Sequence, residues 1–530
     1  MLQDINLRTD PRTAATPALL RREAARALRL PEKEINDLRV TRRSIDARQK
    51  RVMLQLTARV ATGDTPSVPC LTQPVALRQT DASSPQVVIV GAGPAGLFAA
   101  LRALEYGMRP IVLERGKDVD SRRLDLTAIS RTGEVNAESN YCFGEGGAGA
   151  YSDGKLFTRS KKRGNVAGIL NLLVLHGASP DILVDAHPHI GSDRLPGVIR
   201  AIRENIIAHG GEVRFNTRAE SLVIEGGEVR GVITADGARV EGPVVLATGH
   251  SARDVYRMLD RQGVRLEAKG LAIGVRLEHP QELIDRLQYH SPEGRGKYLP
   301  AAEYSYTTQA SGRGVYSFCM CPGGVIVPAA SAPGEAVVNG MSASARSGKK
   351  ANSGMVVELR PGDFPEYDSF GALSMLEMQC DLEKRFFEAA GNSIKAPAQR
   401  MTDFTSSRLS TSLPETTYVP GLVAAPLHEL LPPFIATRLR DGFLDFGRRC
   451  PGFLTPEACM VGLESRTSSP VRVPRDPESF THPDLPGLYP AGEGAGFAGG
   501  IVSAAIDGQR CIDALAAGKQ TTNNTLLWQL

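Results

Sequence analysis

The chain has 530 residues, of which 42% are hydrophobic and 23% are charged, and its formal net charge is +4. A chain of this length can form two or three domains with substantial cores, whereas no apolar run approaches the roughly 20 residues of a membrane-spanning helix. The eight cysteines are scattered, without a C-x-x-C pair or a zinc-binding spacing, which is typical of a reducing compartment. Since an apolar secretory signal is also missing, we expect a cytoplasmic protein with no membrane association and no metal site.

Residues 1–65 predict a small α/β module, and residues 66–85, which are rich in Pro, Ser and Thr, predict a linker. The elements predicted for the module are a strand over 2–7, a helix over 17–28 and strands over 38–45 and 51–60. In this order they suit a compact sandwich of helix on sheet.

The same module carries the basic excess of the chain. Residues 1–80 contain 15 Lys and Arg against 8 Asp and Glu. One interpretation is a surface that recruits RNA. The other, which we favour because the module has almost no aromatic side chains to stack on bases, is a solvated strand face or a cover for the next domain. The positive cluster consists of Arg39, Arg42, Arg43, Arg48, Lys50 and Arg51.

Residues 86–114 contain the most informative motif of the chain. A short apolar strand over 86–90 is followed directly by Gly91, Gly93 and Gly96 in the pattern G-x-G-x-x-G, and then by a helix and a second buried strand. Gly91 allows the tight turn, Gly93 lets the backbone approach a pyrophosphate, and Gly96 lets helix and strand pack closely. The free N–H groups and positive dipole end of the helix N-terminus favour phosphate binding.

Glu114 closes the second strand, 23 residues after Gly91. This is close to the roughly 20 residues expected for the acid that holds a ribose 2′-OH. A carboxylate at that position repels a 2′-phosphate, so NADP is disfavoured at this site.

Two further G-x-G-x-x-G patterns occur, at 144–149 and at 494–499. The first lacks a clean preceding strand, and the second lies too close to the chain end for another strand with a terminal acid. Residues 149–155 also mimic a P-loop, but Leu156 stands where Ser or Thr must hold Mg²⁺. We therefore expect these loops to serve one large dinucleotide rather than separate sites.

The rest of the chain predicts a nucleotide-binding domain interrupted by a second domain. The first part covers 86–261, a substrate-facing domain covers 262–451, a return segment covers 452–516, and 517–530 forms a frayed tail or an interface arm. Other predicted elements are helices over 195–209, 373–390 and 501–516, a three-stranded meander over 220–242, and strands over 211–216, 244–247, 271–279, 323–330 and 488–491.

Several motifs together resemble a known family. VIVGAGPAGLFAA, Glu114, VVLATGHS and GLYPAGEGAGFAGGI, in this order, resemble FAD-binding flavoproteins of the glutathione-reductase superfamily. The full set resembles a bacterial branch described as uncharacterised FAD-dependent or NAD(FAD)-utilising dehydrogenases. The motifs of that branch are SIDAR (44–48), FGEGGAGAYSDGKL (143–156), IGVRLEHPQ (273–281), SFCMCPGG (317–324) and ESRTSSPVR (464–472).

The resemblance implies FAD as the cofactor. It also implies an α/β fold, in which a Rossmann-type FAD-binding domain carries an inserted mixed α+β substrate domain and a small N-terminal α/β module. The residues that would bind FAD are Gly91, Gly93, Pro94, Ala95 and Gly96 at the pyrophosphate, Glu114 at the adenosine ribose with Arg115 beside it, Thr248 and Gly249 towards the adenosine side, Gly492 and Glu493 at the ribityl-phosphate region, Gly146, Gly147 and Ala148 facing the isoalloxazine, and Gly499, Gly500 and Ile501 at the flavin N1/O2 edge.

Five residues are candidates for the chemistry, each with a structural alternative. Cys319 and Cys321 could form a redox pair or contact substrate, but a C-x-C disulfide closes a strained ring and buried structural thiols are commoner. His279 could protonate a substrate or be a satisfied core histidine. Arg466 could grip a carboxylate or phosphate or order its own loop. Arg276 is predicted either to form an internal ion pair or to recognise an anion.

The predicted function is an FAD-dependent oxidoreductase that transfers two electrons between flavin N5 and a small organic substrate. The alternatives are an RNA-associated flavoprotein and a non-catalytic flavin-binding protein. The sequence has no dedicated motif for NAD(P)H, which leaves transient binding of that donor open. It does not determine the substrate or the oligomeric state.

Overall fold

A computed structural model describes residues 1–158 and 164–527, with the backbone alone from residue 519 onward. The strands β1–β22 are, in chain order, Leu2–Thr9, Ile35–Asp46, Met53–Thr62, Gln86–Val90, Arg109–Leu113, Glu212–Arg214, Ala219–Glu225, Glu228–Thr234, Arg239–Glu241, Val244–Leu246, Glu267–Ala268, Leu271–Pro280, Thr307–Ala310, Arg313–Cys321, Val325–Pro328, Val338–Met341, Lys350–Leu359, Ala396–Arg400, Leu422–Ala424, Cys459–Glu464, Val471–Arg472 and Leu488–Pro490. The helices α1–α13 are Pro11–Ala15, Pro17–Leu28, Pro94–Glu105, Val119–Thr132, Val166–Leu175, Leu195–Ala208, Arg253–Arg261, Gln281–Tyr289, Ser374–Ala389, Met401–Thr405, Leu427–Leu430, Pro433–Arg449 and Ile501–Leu527.

The first sheet is parallel and has the order β22-β10-β4-β5-β6. Its strands are buried on both faces, as expected for a parallel sheet covered on either side. In β4, Val87 and Ile89 join the core formed with α3, α6 and α13, whereas Val88 and Val90 join the core formed with α7 and the β7-β8-β9 meander. This three-layer arrangement is the predicted α/β dinucleotide-binding fold, and the prediction is confirmed.

The second sheet has the order β13-β14-β17-β12-β20-β18-β19 and is antiparallel except for the β18–β19 pair. Helices α9 and α12 bury Phe386, Phe443 and Phe446 in its core. The β15–β16 hairpin lies beside this sheet. Together these elements form the mixed α+β region that the sequence predicts between the two halves of the first sheet.

The N-terminal sheet has the order β1-β3-β2, and α2 packs on it through Leu20 and Ala24. Strand β2 attaches the module to the rest of the chain, because the main chain of Arg43 exchanges hydrogen bonds with Val184 and Ala186. Its guanidinium pairs with Asp181 and Asp185, at 3.1 and 2.6 Å. One member of the predicted basic cluster is thus committed to an internal contact.

Three segments differ from the expected organisation. The Gly- and polar-rich stretch over 116–165 does not predict regular structure throughout, but it contains α4, whose ends carry ordinary helix signals: Asp118 accepts hydrogen bonds from two first-turn N–H groups, and Gly133 ends the helix at φ +76°. Strand β20 pairs with β12 and β18, so it lies in the second sheet and not with the return segment over 452–516. Helix α13 continues through the predicted tail to Leu527, and residues 528–530 lie outside the described residues.

In the described ranges, no helix combines the length and the apolar character needed to cross a membrane.

Candidate functional site

A cavity opens where the parallel strands of the first sheet end. It encloses about 350 Å³, and its wall includes residues that directly follow β4, β5, β10 and β22. The second sheet contributes Phe318 and Cys319 of β14 to the same wall, and the β15–β16 hairpin contributes Asn339 of β16. Open α/β sheets bind ligands in the crevice at the carboxyl ends of their strands, so this cavity is the candidate site.

The first glycine loop joins β4 to α3 at this cavity. Gly91 has φ +107°, and a Cβ there would lie 2.4 Å from the Ala247 carbonyl oxygen. A Cβ at Gly96 would lie 1.9 Å from the Gly91 carbonyl oxygen. Only glycine fits at either position, because the neighbouring atoms belong to the backbone and cannot move aside.

Gly93 has a different environment from its two partners. It precedes α3, and among the described residues no side chain caps the N-terminus of that helix. A Cβ at Gly93 would meet only the Cα of Gly147, at 3.9 Å. Gly93, Pro94 and Ala95 all line the cavity. The start of α3 therefore presents bare main chain and a positive helix end to the cavity.

The second glycine loop lies against the first. The N–H of Gly146 donates to the Ala92 carbonyl at 2.8 Å, and Gly147 begins a short 3₁₀ helix, Gly147–Gly149. Gly147 and Ala148 line the cavity, whereas Gly146 packs behind them against Ile199. The two loops predicted to serve one ligand are thus adjacent.

Glu114 connects these loops through its side chain. Its Oε2 accepts a hydrogen bond from the N–H of Ala92 at 2.9 Å, and its Oε1 accepts from Gly116 and Gly144 at 2.9 and 3.0 Å. Glu114 lines the cavity, and a carboxylate has about four acceptor positions. The side chain therefore organises the loops and keeps one acceptor position for a ligand hydroxyl.

Arg115 also lines the cavity but is already engaged by protein groups. Its guanidinium pairs with Glu138 at 2.7 Å and with Asp254 at 2.9 Å, and it lies 4.3 Å from the centre of the Phe143 ring. Arg115 therefore fixes the wall beside Glu114.

The third glycine loop connects β22 to α13. The N–H of Gly492 donates to Asp507 at 2.7 Å, which turns the chain so that Glu493 enters the cavity wall. Thr248 and Gly249, after β10, line the cavity beside it.

Glycines leave open space along this wall. At Gly249, Gly499 and Gly500 an added Cβ would meet no described atom within 4 Å. Gly499, Gly500 and Ile501 all line the cavity. The N-terminus of α13 is thus a second helix end at the cavity, and the glycines before it leave space for a ligand.

Glu493 and His250 form a polar pair in the same wall. His250 Nε2 lies 3.5 Å from Glu493 Oε2. Burial raises the pKa of Glu493 to about 7. Burial, with the positive charges of Arg466, Lys269 and Arg253, lowers the pKa of His250 to about 4. Near neutral pH the histidine is therefore neutral, and the carboxyl group can take up or release a proton.

The candidate residues for chemistry occupy different surroundings. Cys319 lines the cavity together with Asp153 and Lys155, and Cys321 is buried behind it. His279 is not part of the cavity wall. Its Nε2 is paired with the Phe453 carbonyl at 2.9 Å inside an aromatic core, so His279 has a structural partner away from the cavity.

Arg466 lines the cavity, but its nitrogens are committed to protein groups. It donates to Glu383 at 2.9 Å, to Glu335 at 2.6 Å and to Ser331 at 2.6 Å. Arg253 pairs with the same two carboxylates. Burial alone would raise the pKa of Glu383, yet the two arginines lower it to about 2. Because these protein groups accept its hydrogen bonds, Arg466 orders its own loop and has few N–H groups left to bind a ligand.

A comparison with known sequences identifies the family. An uncharacterised protein of Clostridium beijerinckii is 41% identical over 508 residues, which cover 92% of this chain and 94% of the clostridial one. The chain belongs to the family of this clostridial protein.

Family models describe the parts of the chain separately. They match as "FAD binding domain" over 86–133, "FAD dependent oxidoreductase" over 195–320, "FAD-dependent protein, C-terminal domain-like" over 270–467 and a domain of unknown function over 1–61. The protein is an FAD-dependent oxidoreductase, and its cofactor is FAD.

Solved structures give weaker likenesses. A geranylgeranyl bacteriochlorophyll reductase-like protein from Thermoplasma acidophilum is 13% identical with a TM-score of 0.35, covering 84% of this chain and 80% of that one. CtdE in complex with FAD is 12% identical with a TM-score of 0.31, covering 82% and 84%. Values at this level are too low to transfer a function or a substrate.

The cavity of this FAD-dependent oxidoreductase suits its cofactor. The N-terminus of α3 and its bare glycines suit a pyrophosphate, and the N-terminus of α13 opens on the same cavity. The Oγ of Ser251, buried in the cavity wall, has no hydrogen-bond partner among the described residues. A buried hydroxyl without a partner is expected where a ligand supplies one.

Sequence reasoning missed several members of this wall. His250 stands in the VVLATGHS motif, and Asp153 and Lys155 stand in FGEGGAGAYSDGKL. The signal for Lys155 is the P-loop-like spacing over 149–155, which does not predict nucleotide binding because Leu156 cannot hold Mg²⁺. The absence of a nucleotide motif does not exclude a side-chain role for the lysine.

Proposed function

We propose that the protein binds FAD along the cavity and transfers two electrons between the flavin and a small organic substrate bound beside it. The observation that supports this most is the meeting of three glycine loops, after β4, before Gly147–Gly149 and before α13, around one cavity. These loops are far apart in the chain, and each brings main chain without side chains to the cavity. A single elongated ligand that contacts all three explains this arrangement. The parallel sheet agrees with a glutathione-reductase-type arrangement, which we propose for the first sheet.

The main chain would hold the phosphates of the cofactor. Gly91, Gly93, Pro94, Ala95 and Gly96 provide the turn and the helix end for the pyrophosphate. Glu114 would bind the adenosine ribose through its remaining acceptor position, with Arg115 as the adjacent wall. Thr248 and Gly249 would lie towards the adenosine side, and Gly492 and Glu493 towards the ribityl chain.

The second and third glycine loops would surround the reacting ring. Gly147 and Ala148, with Gly146 packed behind them, permit close approach, and Gly499, Gly500 and Ile501 bring the N-terminus of α13, where a helix dipole stabilises negative charge. When bound, FAD supplies the two-electron chemistry, and the protein supplies position and protons. Glu493, with a pKa of about 7, is suited to hold or release a proton in this region.

We propose a small molecule as the substrate, with NAD(P)H as a transient electron donor. We do not propose a nucleic-acid partner, because two members of the basic cluster, Arg43 and Arg48, pair with aspartates of this chain.

The test is spectroscopic. The purified protein is expected to be yellow and to be bleached anaerobically by NADH, NADPH or a member of a panel of small organic reductants, with colour restored by an organic oxidant. A protein that stays colourless after incubation with FAD would refute the proposal. A yellow protein that no reductant bleaches would instead support a non-catalytic flavin-binding protein.

A further inference from the structure

Lys155 brings an ammonium group to the cavity wall from the segment after the second glycine loop. Main-chain hydrogen bonds fix this segment, because the N–H of Leu156 donates to Pro188 at 2.9 Å and the N–H of Ile190 donates to Gly154 at 3.2 Å. Lys155 lines the cavity, and its side chain keeps 29% of its accessible surface. A ligand in this part of the cavity therefore meets a positive charge held on a fixed main chain.

Asp153 is the acidic partner of this lysine, but a second cation shares it. Lys155 Nζ lies 3.1 Å from Asp153 Oδ2, and Arg346 donates to the same carboxylate through Nε at 3.1 Å and Nη2 at 2.5 Å. Burial alone would raise the pKa of Asp153, yet Lys155 and Arg346 lower it to about 2. The group thus holds one negative and two positive charges. Arg346 is buried and does not line the cavity, so Lys155 carries the excess positive charge to the wall.

The nearest buried ion pair adds no net charge to this group. Arg276 donates to Glu464 at 3.2 Å, which is the internal ion pair among the two roles predicted for that arginine. Arg276 Nη2 and Lys155 Nζ lie 3.4 and 3.9 Å from Cys321 Sγ, so the pair is close to the lysine. Neither Arg276 nor Glu464 lines the cavity.

Two further acids near this group compensate the lysine only in part. Glu303 lies 3.8 Å from Arg346 Nη1, outside the cavity wall, and its hydrogen bond with His187 raises the pKa of that histidine. Glu493 lines the cavity, and burial raises its pKa to about 7, so it is only partly ionised near neutral pH. Among the described residues of this wall, Lys155 therefore keeps positive charge for a ligand.

The amide of Asn339 provides a second donor in the same cavity wall. Its Oδ1 accepts a hydrogen bond from the N–H of Gly340 at 2.7 Å, whereas its Nδ2 has no hydrogen-bond partner in the described part of the chain. A Cβ on Gly340 would lie 2.1 Å from Arg276 Nη2, so β16 runs beside the charged group that contains Lys155. Asn339 can therefore donate to a ligand from a strand close to the lysine.

We propose that Lys155 and Asn339 bind the carboxylate of a monoanionic organic substrate. This assignment rests on the proposed oxidoreductase function, because it places the substrate in the FAD cavity. The ammonium of Lys155 has three N–H donors. Asp153 accepts from it at 3.1 Å, and its other neighbour, the sulfur of Cys321 at 3.9 Å, is a weak acceptor. At least one N–H remains for a carboxylate oxygen, and the amide of Asn339 donates alongside it.

The charges of the wall favour a carboxylate over a phosphate monoester. A phosphate monoester carries about two negative charges at neutral pH, whereas the group formed by Lys155, Arg346 and Asp153 has a net charge of one. The second charge of a phosphate would be repelled by Asp153 and by ionised Glu493. Phe318 also lines the cavity, so we expect the rest of the substrate to be apolar.

The first experiment compares carboxylates with neutral and doubly charged analogues. Butyrate, hexanoate and octanoate, their amides and hexyl phosphate are titrated into the purified protein, with FAD as isolated, at constant ionic strength. Saturation-transfer NMR of the ligand gives the dissociation constant. We expect a value on the order of 1 mM for ligands of this size, with the best carboxylate at least about 10-fold tighter than its amide. Carboxylates that do not bind saturably, that bind no better than amides, or that bind less tightly than hexyl phosphate would overturn the proposal.

Lys155→Met tests the lysine directly. Because Arg346 still pairs with Asp153 through two hydrogen bonds, the variant leaves no unpaired buried carboxylate and should fold. The affinity for hexanoate should fall at least about 10-fold, to that of the amide, while the visible absorbance of bound FAD is retained. An unchanged affinity for hexanoate would contradict the proposal. Loss of FAD from the folded variant would also contradict it, because the lysine would then bind the cofactor.

Lys117→Met is the matched control. Lys117 Nζ lies 2.9 Å from Asp125 Oδ1, and the lysine is outside the cavity wall, so the same substitution is made in a second lysine–aspartate pair. It should leave the affinity for hexanoate unchanged. Equal losses in the two lysine variants would mean that only the overall charge of the protein matters, and the assigned site would be wrong.

Asn339→Leu tests the second donor. The affinity for hexanoate should fall about 5-fold, which is less than for Lys155→Met because the lost hydrogen bond comes from an uncharged donor. An unchanged affinity would remove Asn339 from the site. Circular dichroism checks the fold of each variant, and if none folds, the comparison of carboxylates with amides in the parent protein still decides.

None of these measurements requires turnover or reduction of the flavin. A protein whose flavin is bleached by a reductant but that binds no carboxylate would refute this inference and leave the proposed oxidoreductase function intact. Carboxylate binding that depends on Lys155, in a protein whose flavin no reductant bleaches, would refute the proposed function and retain the carboxylate site.

Discussion

The two ends of the cavity are built in different ways. The main-chain end consists of Gly91, Gly93 and Gly147, with Gly96 and Gly146 packed behind them, and its binding groups are N–H groups and a helix dipole. The side-chain end consists of Cys319, Lys155, Asp153, His250 and Glu493, and its properties depend on charges and burial.

The main-chain end depends on the absence of side chains at fixed positions, so a single added methyl group can destroy it. The side-chain end depends on a balance of charges contributed by several segments, so single changes there shift ionisation before they remove binding. Variants of the two ends should therefore fail in different ways.

The largest expected effect is at Gly96. Gly96→Ala places a Cβ 1.9 Å from the Gly91 carbonyl oxygen, which forces β4 and α3 apart. The free energy of unfolding should fall by about 3 kcal/mol or more, and bound FAD should be lost. Urea unfolding and the visible flavin absorbance measure the two effects.

Gly197→Ala is the matched control for that variant. Gly197 is the third residue of α6, as Gly96 is of α3, and an added Cβ would meet no described atom within 4 Å. It should leave FAD bound and stabilise the protein by up to about 1 kcal/mol. Equal losses in both variants would show that close packing is not what Gly96 provides.

A smaller effect is expected at Gly93. An added side chain there fits within the protein but would occupy the space of the ligand. Gly93→Val should keep the unfolding midpoint close to that of the parent, because the nearest atom to the added Cβ is 3.9 Å away. FAD affinity should fall by about 100-fold, or about 2.7 kcal/mol. Equilibrium titration of the FAD-free protein gives the affinity, and an unchanged value would place the pyrophosphate elsewhere.

The smallest effect is a pH dependence at the side-chain end. Folding raises the pKa of Glu493 from 4.5 to about 7. Between these values the folded state holds a proton that the unfolded chain releases, so the contribution of Glu493 to the free energy of unfolding falls as the pH rises. Folding lowers the pKa of His250 from 6.5 to about 4, so its contribution is lost as the pH falls through that window. The two slopes oppose each other between pH 4.5 and 6.5.

Substituting one residue of this pair should leave only the pH dependence of stability that the other residue causes. Relative to the parent, the stability of Glu493→Gln should rise more steeply with pH in this range, and that of His250→Gln should fall. Urea unfolding at a series of pH values measures the difference, with the parent protein as reference. Curves that run parallel to the parent would contradict the assigned ionisation of that residue.

Much of the first sheet was predictable from local patterns. The strand over 86–90, the helix after Gly93 and the strand ending before Glu114 follow one another without interruption, and each signal is local. Helix α4 carried local signals as well, in Asp118 and Gly133, but its polar surroundings concealed them. The position of β20 was not predictable, because its pairing with β12 joins residues almost two hundred positions apart.

The local pattern over 86–114 predicts a cofactor site, because a glycine turn, a helix end and a terminal acid act through backbone geometry that neighbouring residues set. The tertiary structure establishes which side chains share the cavity. It brings Cys319 from β14, Lys155 from the segment after the second glycine loop, and Glu493 from the loop after β22 to one wall. It also places His279 in a separate core away from the cavity and pairs Arg466 with the carboxylates of Glu335 and Glu383. Burial and charge depend on such long-range neighbours, which no local pattern records.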